Sequence, residues 1–265
     1  MMPQNLTIYQ LDAFTSALFG GNPAAVVSLD TWLPDATMQA IAAENNLAET
    51  AFYVPTPTGF WLRWFTPTVE VDLCGHATLA TAYVIFKIQN YAEPRVRFQS
   101  RSGELGVRQE GEWLVLDFPA DVLSPVANVP PNLLESLGDV RPVAVLKGKT
   151  DYLVVFDNQA QIEALQPDFK RMATVVARGV IVTAPGHDVD FVSRFFAPQS
   201  GVDEDPVTGS AHTSLTPYWA AQLQKTSFEA RQLSRRGGFL KTTLRGQRVE
   251  IAGQVQLYLV GQIFV

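Results

Sequence analysis

Two short segments hold most of the residues that could do chemistry. Cys74, Gly75 and His76 lie in DLCGHATLA (72–80), and Asp205, Thr208, Gly209 and Ser210 lie in DEDPVTGSAH (203–212). Each places a glycine and then a polar residue where a helix-forming run begins. The first N–H groups of a helix lack partners inside it, and the helix dipole makes that end electropositive. Such a start can grip a carboxylate or stabilise an enolate, and glycine lets a ligand approach the backbone. Plain N-capping by Asp72 or Thr208 would explain either segment alone; the same device at two matched points favours binding. His76, inside the first glycine-led turn, is a candidate for proton handling. Asp205, fixed by Pro206, is the acid of DEDP best placed as a base or ligand contact. His212 reads as structural and His187, in the turn PGHD, as surface.

These segments need a scaffold, and strand-like runs dominate the chain. LTIYQLDAF, AAVVSL, TAFYVP, FWLRWFTP, RVRFQS and EWLVLDFP are short, rich in β-branched and aromatic residues, and separated by turn residues. Helices are expected over 35–46, through GHATLATAYVIFK, near 159–174 and from about 209, where Pro217 should kink the last one. GHATLATAYVIFK is apolar nearly all round, which predicts a helix buried on every side. The stretch 119–142 carries Pro119, Pro125, Pro130, Pro131 and Pro142 and reads as a linker.

After that linker the pattern starts again. Arg63, Phe65 and Pro67 match Arg194, Phe196 and Pro198, and Gly75 matches Gly209 after three extra residues. TAFYVPTPTG parallels GVIVTAPGHD, and GELGVRQEGEWLVL parallels GFLKTTLRGQRVEI. A period of about 130 residues is too long for a solenoid and implies a duplicated domain. The expected division is 1–125 and 126–265, with equivalent features of the halves facing one cleft.

Bulk properties narrow the field. The 265 residues are 47% hydrophobic and 17% charged, with a net charge of −6, so nothing favours nucleic acid or an anionic membrane. Cys74 is the single cysteine, which fits a reducing compartment. There is no signal-peptide pattern and no long apolar run, so a soluble cytoplasmic protein is expected. KGKT (147–150) lacks the leading glycine of a phosphate loop, and no GxGxxG is present. No His, Cys, Asp and Glu residues have metal-ligand spacing, so no metal or cofactor is expected. Ser210, His76 and Asp205 are the right types for a hydrolase triad, but TGSAH is not a nucleophile elbow.

At DLCGHATLA and EDPVTGSA the chain resembles the phenazine-biosynthesis PhzF-like isomerases, with further likeness in DAFTSALFGGNPAAVV, ETAFYV and SRRGGFL. The resemblance implies an α+β, diaminopimelate epimerase-like fold: two similar domains, each a curved, barrel-like sheet around a central helix. It also implies a homodimer and cofactor-free, metal-free proton transfer between carbons of a small carboxylate-bearing metabolite. By position, Glu49 matches the family's acid/base, although alone it is an ordinary surface glutamate. His76, Asp205 and Ser210 match its partners in proton handling and binding, and Gly75, Thr208 and Gly209 fall at the substrate-holding helix starts. The related racemases use two facing cysteines; here those places hold Cys74 and Thr208, which disfavours two-thiol racemisation and leaves Cys74 as a small buried residue. An amino-acid racemase or epimerase, a non-catalytic small-molecule binder and a Ser210 hydrolase are the alternatives.

Overall fold

A computed structural model describes residues 4–265, which form an α+β fold that is mostly sheet. The chain divides into two compact units. The first runs to Asp117 and takes back Ala252–Val265; the second is Phe118–Ile251.

The first unit contains β1 (Asn5–Ala13), β2 (Asn22–Ser28), α1 (Asp35–Asn45), β3 (Glu49–Thr56), β4 (Gly59–Phe65), β5 (Glu70–Val71), α2 (Gly75–Tyr83), β6 (Arg95–Ser100) and β7 (Gly103–Glu110). The chain leaves this unit within β8 (Trp113–Pro119). In the second unit follow β9 (Ser124–Pro125), α3 (Pro131–Ser136), β10 (Ala144–Lys147), β11 (Asp151–Val155), α4 (Gln159–Ala164), α5 (Phe169–Met172), β12 (Gly179–Pro185) and β13 (Phe191–Phe196). A single 3-10 turn, Gly209–Ala211, leads into α6 (His212–Leu223), then β14 (Ser227–Gln232), β15 (Gly238–Arg245) and β16 (Arg248–Gly253). The last strand, β17 (Val255–Phe264), returns to the first unit.

That return is where the structure departs from the division at 125/126. β17 pairs antiparallel with β1 from Asn5↔Phe264 to Ala13↔Val255, so the C-terminal residues complete the first unit's sheet. Sequence reading misses this because the partners lie at opposite ends of the chain.

The two units run through the same series of pairings. In the first, β1/β2 is antiparallel, β2/β3 parallel, β3/β4 antiparallel, β4/β6 parallel and β6/β7 antiparallel. In the second, β10/β11 is antiparallel, β11/β12 parallel, β12/β13 antiparallel, β13/β14 parallel and β14/β15 antiparallel. Each unit also holds the loop before its helix with an arginine clamp. Arg63 donates from Nε and Nη2 to the two Glu70 oxygens at 2.7 and 2.8 Å, with its guanidinium over Phe65. Arg194 does the same to Glu204 at 2.7 and 3.0 Å, over Phe196. A bidentate guanidinium–carboxylate pair fixes orientation as well as distance.

Helix α2 is buried from Gly75 to Ala82 and packs on β1, β2, β3 and β17, as its all-round apolar sequence requires. Fully burying a side chain such as Leu79 stabilises the fold by about 1.5–3 kcal/mol. The helix ends in a wider π-type turn, Val84–Ile88. Helix α6 is half-buried at Thr213, Pro217, Tyr218 and Ala220. It packs Leu215 and Trp219 against Phe191, Phe195 and Phe228. The expected helix over 159–174 is two short helices, because Pro167 lies between them and cannot continue the first.

Pro217 stays inside a helix that remains assigned from His212 to Leu223. A proline lacks the N–H that would bond the carbonyl four residues back, here Thr213. The Asp121 N–H supplies that bond instead, at 3.0 Å, and Asp121 Oδ2 accepts from Ser214 Oγ at 2.8 Å. The proline-rich segment is therefore docked at the proline gap. Replacing Asp121 by Ala should lower the stability of the second unit by about 1–3 kcal/mol, because buried Ser214 loses its acceptor. Urea unfolding measures this, and an unchanged midpoint would show that the contact contributes nothing.

Candidate active site

In the first unit, the polar start of α2 meets the beginnings of two strands. Glu49 opens β3, which runs parallel to β2 with Ala24 opposite Glu49. Asn22 opens β2, two residues before that pairing. Gly21 turns the chain into β2 with φ +62°, and a side chain there would place its Cβ 2.2 Å from the Ala13 carbonyl oxygen. Cys74 is the N-cap of α2, with no side-chain capping bond, and His76 lies in the first turn. The preceding loop is held by the Arg63–Glu70 clamp and by Ser102 Oγ, which donates to the Asp72 carbonyl at 2.6 Å. Asp72 therefore does not cap the helix.

These elements bring four side chains together. His76 Nε2 lies 3.0 Å from Glu49 Oε2, and His76 Nδ1 lies 3.2 Å from Asn22 Nδ2. Cys74 Sγ is 3.5 Å from His76 Nδ1 and 4.0 Å from Nε2. His76, Cys74 and Asn22 are buried, and Glu49 keeps 18% of its side chain exposed. His76 is the one polar partner that Glu49 Oε2 has among the described residues. Burial alone would push the imidazole of His76 down. Its neighbours Cys74 and Glu49, by charge and hydrogen bonding, hold it well above its ordinary value. Burial pushes the Cys74 thiol up to about 11. No metal-ligand spacing is visible in the sequence, yet the fold gathers donor atoms of Glu49, Cys74 and His76 within 4.8 Å of one another.

In the second unit, Thr208 is the N-cap before Gly209. Its N–H donates to Gln232 Oε1 at 2.8 Å, and its hydroxyl donates to Asp205 Oδ2. Gln232 Nε2 donates to the Asp205 carbonyl at 2.7 Å. Of the three DEDP acids, Glu204 is held in the arginine clamp and Asp203 is exposed. Ser210 Oγ accepts from Arg178 Nη1 at 3.0 Å. Arg178 Nε donates to buried Asp151 at 2.9 Å, and Nη2 donates to its other oxygen. Burial opposes the charge on Arg178, but the Asp151 hydrogen bond and charge, with Asp205 and Asp121, raise its value. Ser210 is thus bonded to a cation and not to a base within its own unit. His187 is exposed, as expected.

Sequence reasoning missed Asn22, Asp151, Arg178 and Gln232. Asn22 lies in GGNPAAVV, a stretch singled out for its likeness but not for its chemistry. Asp151, Arg178 and Gln232 lie 24 or more residues from Ser210 or Thr208 in the chain and carry no local signal.

The comparisons with known proteins agree on one family. The phenazine biosynthesis-like protein family, PhzC–PhzF, matches residues 11–259. A relative in Pseudomonas aeruginosa, named an uncharacterized isomerase, is 55% identical over 97% of this chain and 98% of its own. The crystal structure of a PhzF-family phenazine biosynthesis protein from Enterococcus faecalis superposes with a TM-score of 0.95 at 43% identity, covering 99% of this chain and all of that one. A hydroxyproline epimerase from Agrobacterium vitis shares the fold, at a TM-score of 0.61 and 12% identity over 98% of this chain and 93% of that one. The fold is the one this epimerase shares, and close relatives of the chain are named isomerases. The chain belongs to the phenazine biosynthesis-like PhzF family. Among the described residues no helix is long and apolar enough to cross a membrane.

His212 shows what the second helix start demands. It is fully buried, its Nδ1 is 3.0 Å from the Thr208 carbonyl, and burial pushes it down to about 4. A folded value below the unfolded one means the neutral form stabilises the fold above about pH 6.5, and this is lost as pH falls toward 4. His212 alone should make the protein about 2 kcal/mol less stable at pH 5 than at pH 7. Denaturant unfolding at both values checks this. A His212→Asn variant should lack that share of the pH dependence.

Proposed function

We propose that the protein is a cofactor-independent isomerase that moves a proton between carbons of a small carboxylate-bearing metabolite. Glu49 is its acid/base. The observation that carries the reading is the Glu49 Oε2 atom, largely withdrawn from water and 3.0 Å from His76 Nε2. Glu49 takes a proton from a carbon beside a carbonyl or conjugated acid, and His76 steadies the carboxylate or shares the proton. The same proton then returns to a different carbon as the double bond shifts. One C–H bond breaks and one forms, so no oxidant or reductant is needed. Negative charge built on the substrate oxygen is stabilised by fixed N–H donors at a glycine-led helix start, Gly75 or Gly209. Asp205, Thr208 and Ser210 are assigned to substrate binding and proton handling in the second unit.

Two observations support this one-sided chemistry over two-base racemisation. Burial pushes the Cys74 thiol up to about 11, which disfavours a thiolate base, and its counterpart Thr208 has no thiol. The strand position matching Glu49 is Gly179, since Ala24 faces Glu49 and Asp151 faces Gly179. Glycine carries no base, and a Cβ there would lie 2.2 Å from Phe195 Cζ, so a side chain would have to displace that ring. The equal order of strand pairings and the matched arginine clamps support descent of the two units from one duplicated domain.

Replacing Glu49 by Gln should reduce proton exchange by about 10²–10⁴-fold while leaving the fold intact. NMR of candidate carboxylates in deuterated water, with circular dichroism of the variant, reads both quantities. Full exchange in the variant would remove Glu49 from its role, and exchange into no candidate acid by the native protein would favour a binding protein.

We propose further that the protein is a homodimer. The supporting feature is the exposed apolar run Tyr258, Leu259 and Val260 of β17, with Phe264 and Phe19 also exposed. Lining up exposed apolar residues in this way is usual at association surfaces. Sedimentation should give a dimer for the native chain and a monomer for Val260→Glu; a native monomer would overturn the proposal.

A further inference from the structure

We propose that Glu49, Cys74 and His76 form a binding site for one thiophilic divalent cation of the zinc class. The donor set is a carboxylate oxygen, a sulfur and an imidazole nitrogen, the combination zinc favours. All three donor atoms lie within 4.8 Å of one another. Zinc bonds oxygen and nitrogen at about 2.0–2.2 Å and sulfur at about 2.3 Å, so tetrahedral ligands stand roughly 3.3–3.7 Å apart. The observed separations are 3.0 Å for His76 Nε2 to Glu49 Oε2 and 4.0 Å for His76 Nε2 to Cys74 Sγ. Cys74 Sγ lies nearer Nδ1, at 3.5 Å, so its side chain must rotate to bring the sulfur before Nε2, while Glu49 needs only a small shift. The fourth position is left to water, as at three-ligand zinc sites.

The surroundings suit the bound state. On binding, Cys74 gives its thiol proton to solvent and Sγ bonds the ion; no electron moves. Burial holds that proton on Cys74, so the ion must displace it. His76 ligates through Nε2, which leaves its ring proton on Nδ1, 3.2 Å from the Asn22 amide. Asn22 accepts that proton with its oxygen end turned to the ring, the outer contact that orients a metal-binding histidine. The bound ion occupies Glu49 Oε2, so metal binding and proton transfer at Glu49 exclude each other. The cation would act as an inhibitor that senses free thiophilic metal.

The test uses the full chain and needs no substrate, so its failure leaves the isomerase reading standing. Cobalt(II) replaces zinc as a visible probe. Because Cys74 is the single cysteine, any thiolate-to-cobalt charge-transfer band must come from it. The native protein should take up one equivalent of cobalt(II) with that band and four-coordinate visible bands, and zinc should displace it. Cys74→Ser should lose the band. Glu49→Gln and His76→Asn should each weaken binding by on the order of 10–100-fold or more. No band in the folded native protein would overturn the proposal. So would a band of unchanged affinity in both Glu49→Gln and His76→Asn, since Cys74 would then bind alone.

Discussion

Helix α2 is buried on every side, and its first turn carries N–H groups that no helix can satisfy from within. That turn must be met by polar groups from other elements, or the burial would cost more than the packing returns. No side-chain bond from the N-cap Cys74 meets it. Two parallel strands begin beside the helix start and bring Asn22 and Glu49 to the ring of His76 in that turn. Gly21 and the Arg63–Glu70 clamp fix the two chain segments that make this possible. The candidate site is thus placed at a buried helix end, and Glu49 is kept there from most of its water.

The second unit answers the same need differently. Its Arg194–Glu204 clamp matches the first, and the carbonyl before the helix-start glycine is bonded in both units. Thr78 Oγ1 donates to the Cys74 carbonyl in one, and the His212 ring meets the Thr208 carbonyl in the other. The side chains then diverge. Where the first unit pairs Ala24 with Glu49, the second pairs Asp151 with Gly179, and its charge goes to Arg178. A side chain at Gly179 would require the Phe195 ring to move. Packing in the second unit therefore removes the carboxylate from the matched strand.

The repeated rhythm, the two helix starts and the pairing of Arg63 with Arg194 were legible because each rests on local pattern. Helix α1 follows from its Pro-Asp start, and α2 from its unbroken apolar run. The broken helix at Pro167 had a visible signal that the periodicity of 159–174 obscured. The return of β17 and the gathering of Asn22 and Glu49 around His76 were not legible, because strand register sets them across large sequence distances. The same reason hides the Glu49, Cys74 and His76 donors: two are neighbours in sequence and the third arrives from another strand. Pro217 shows the converse, a local signal whose consequence was absorbed by a distant N–H at Asp121.

The backbone device and the reactive groups are therefore separable. Thr78 and His212 are unlike residues, yet each bonds the same carbonyl, so the helix start keeps its form whichever side chain follows the glycine. The N-cap residue can be Cys74 or Thr208 without a capping bond from its side chain in either unit. A start whose form does not depend on the N-cap side chain leaves that residue free to differ between the units. A hydroxyproline epimerase shares the fold at 12% identity, so the architecture itself persists with very little common sequence. On the proposed reading, the buried helix start holds the anion, and the residues brought beside it decide which proton moves.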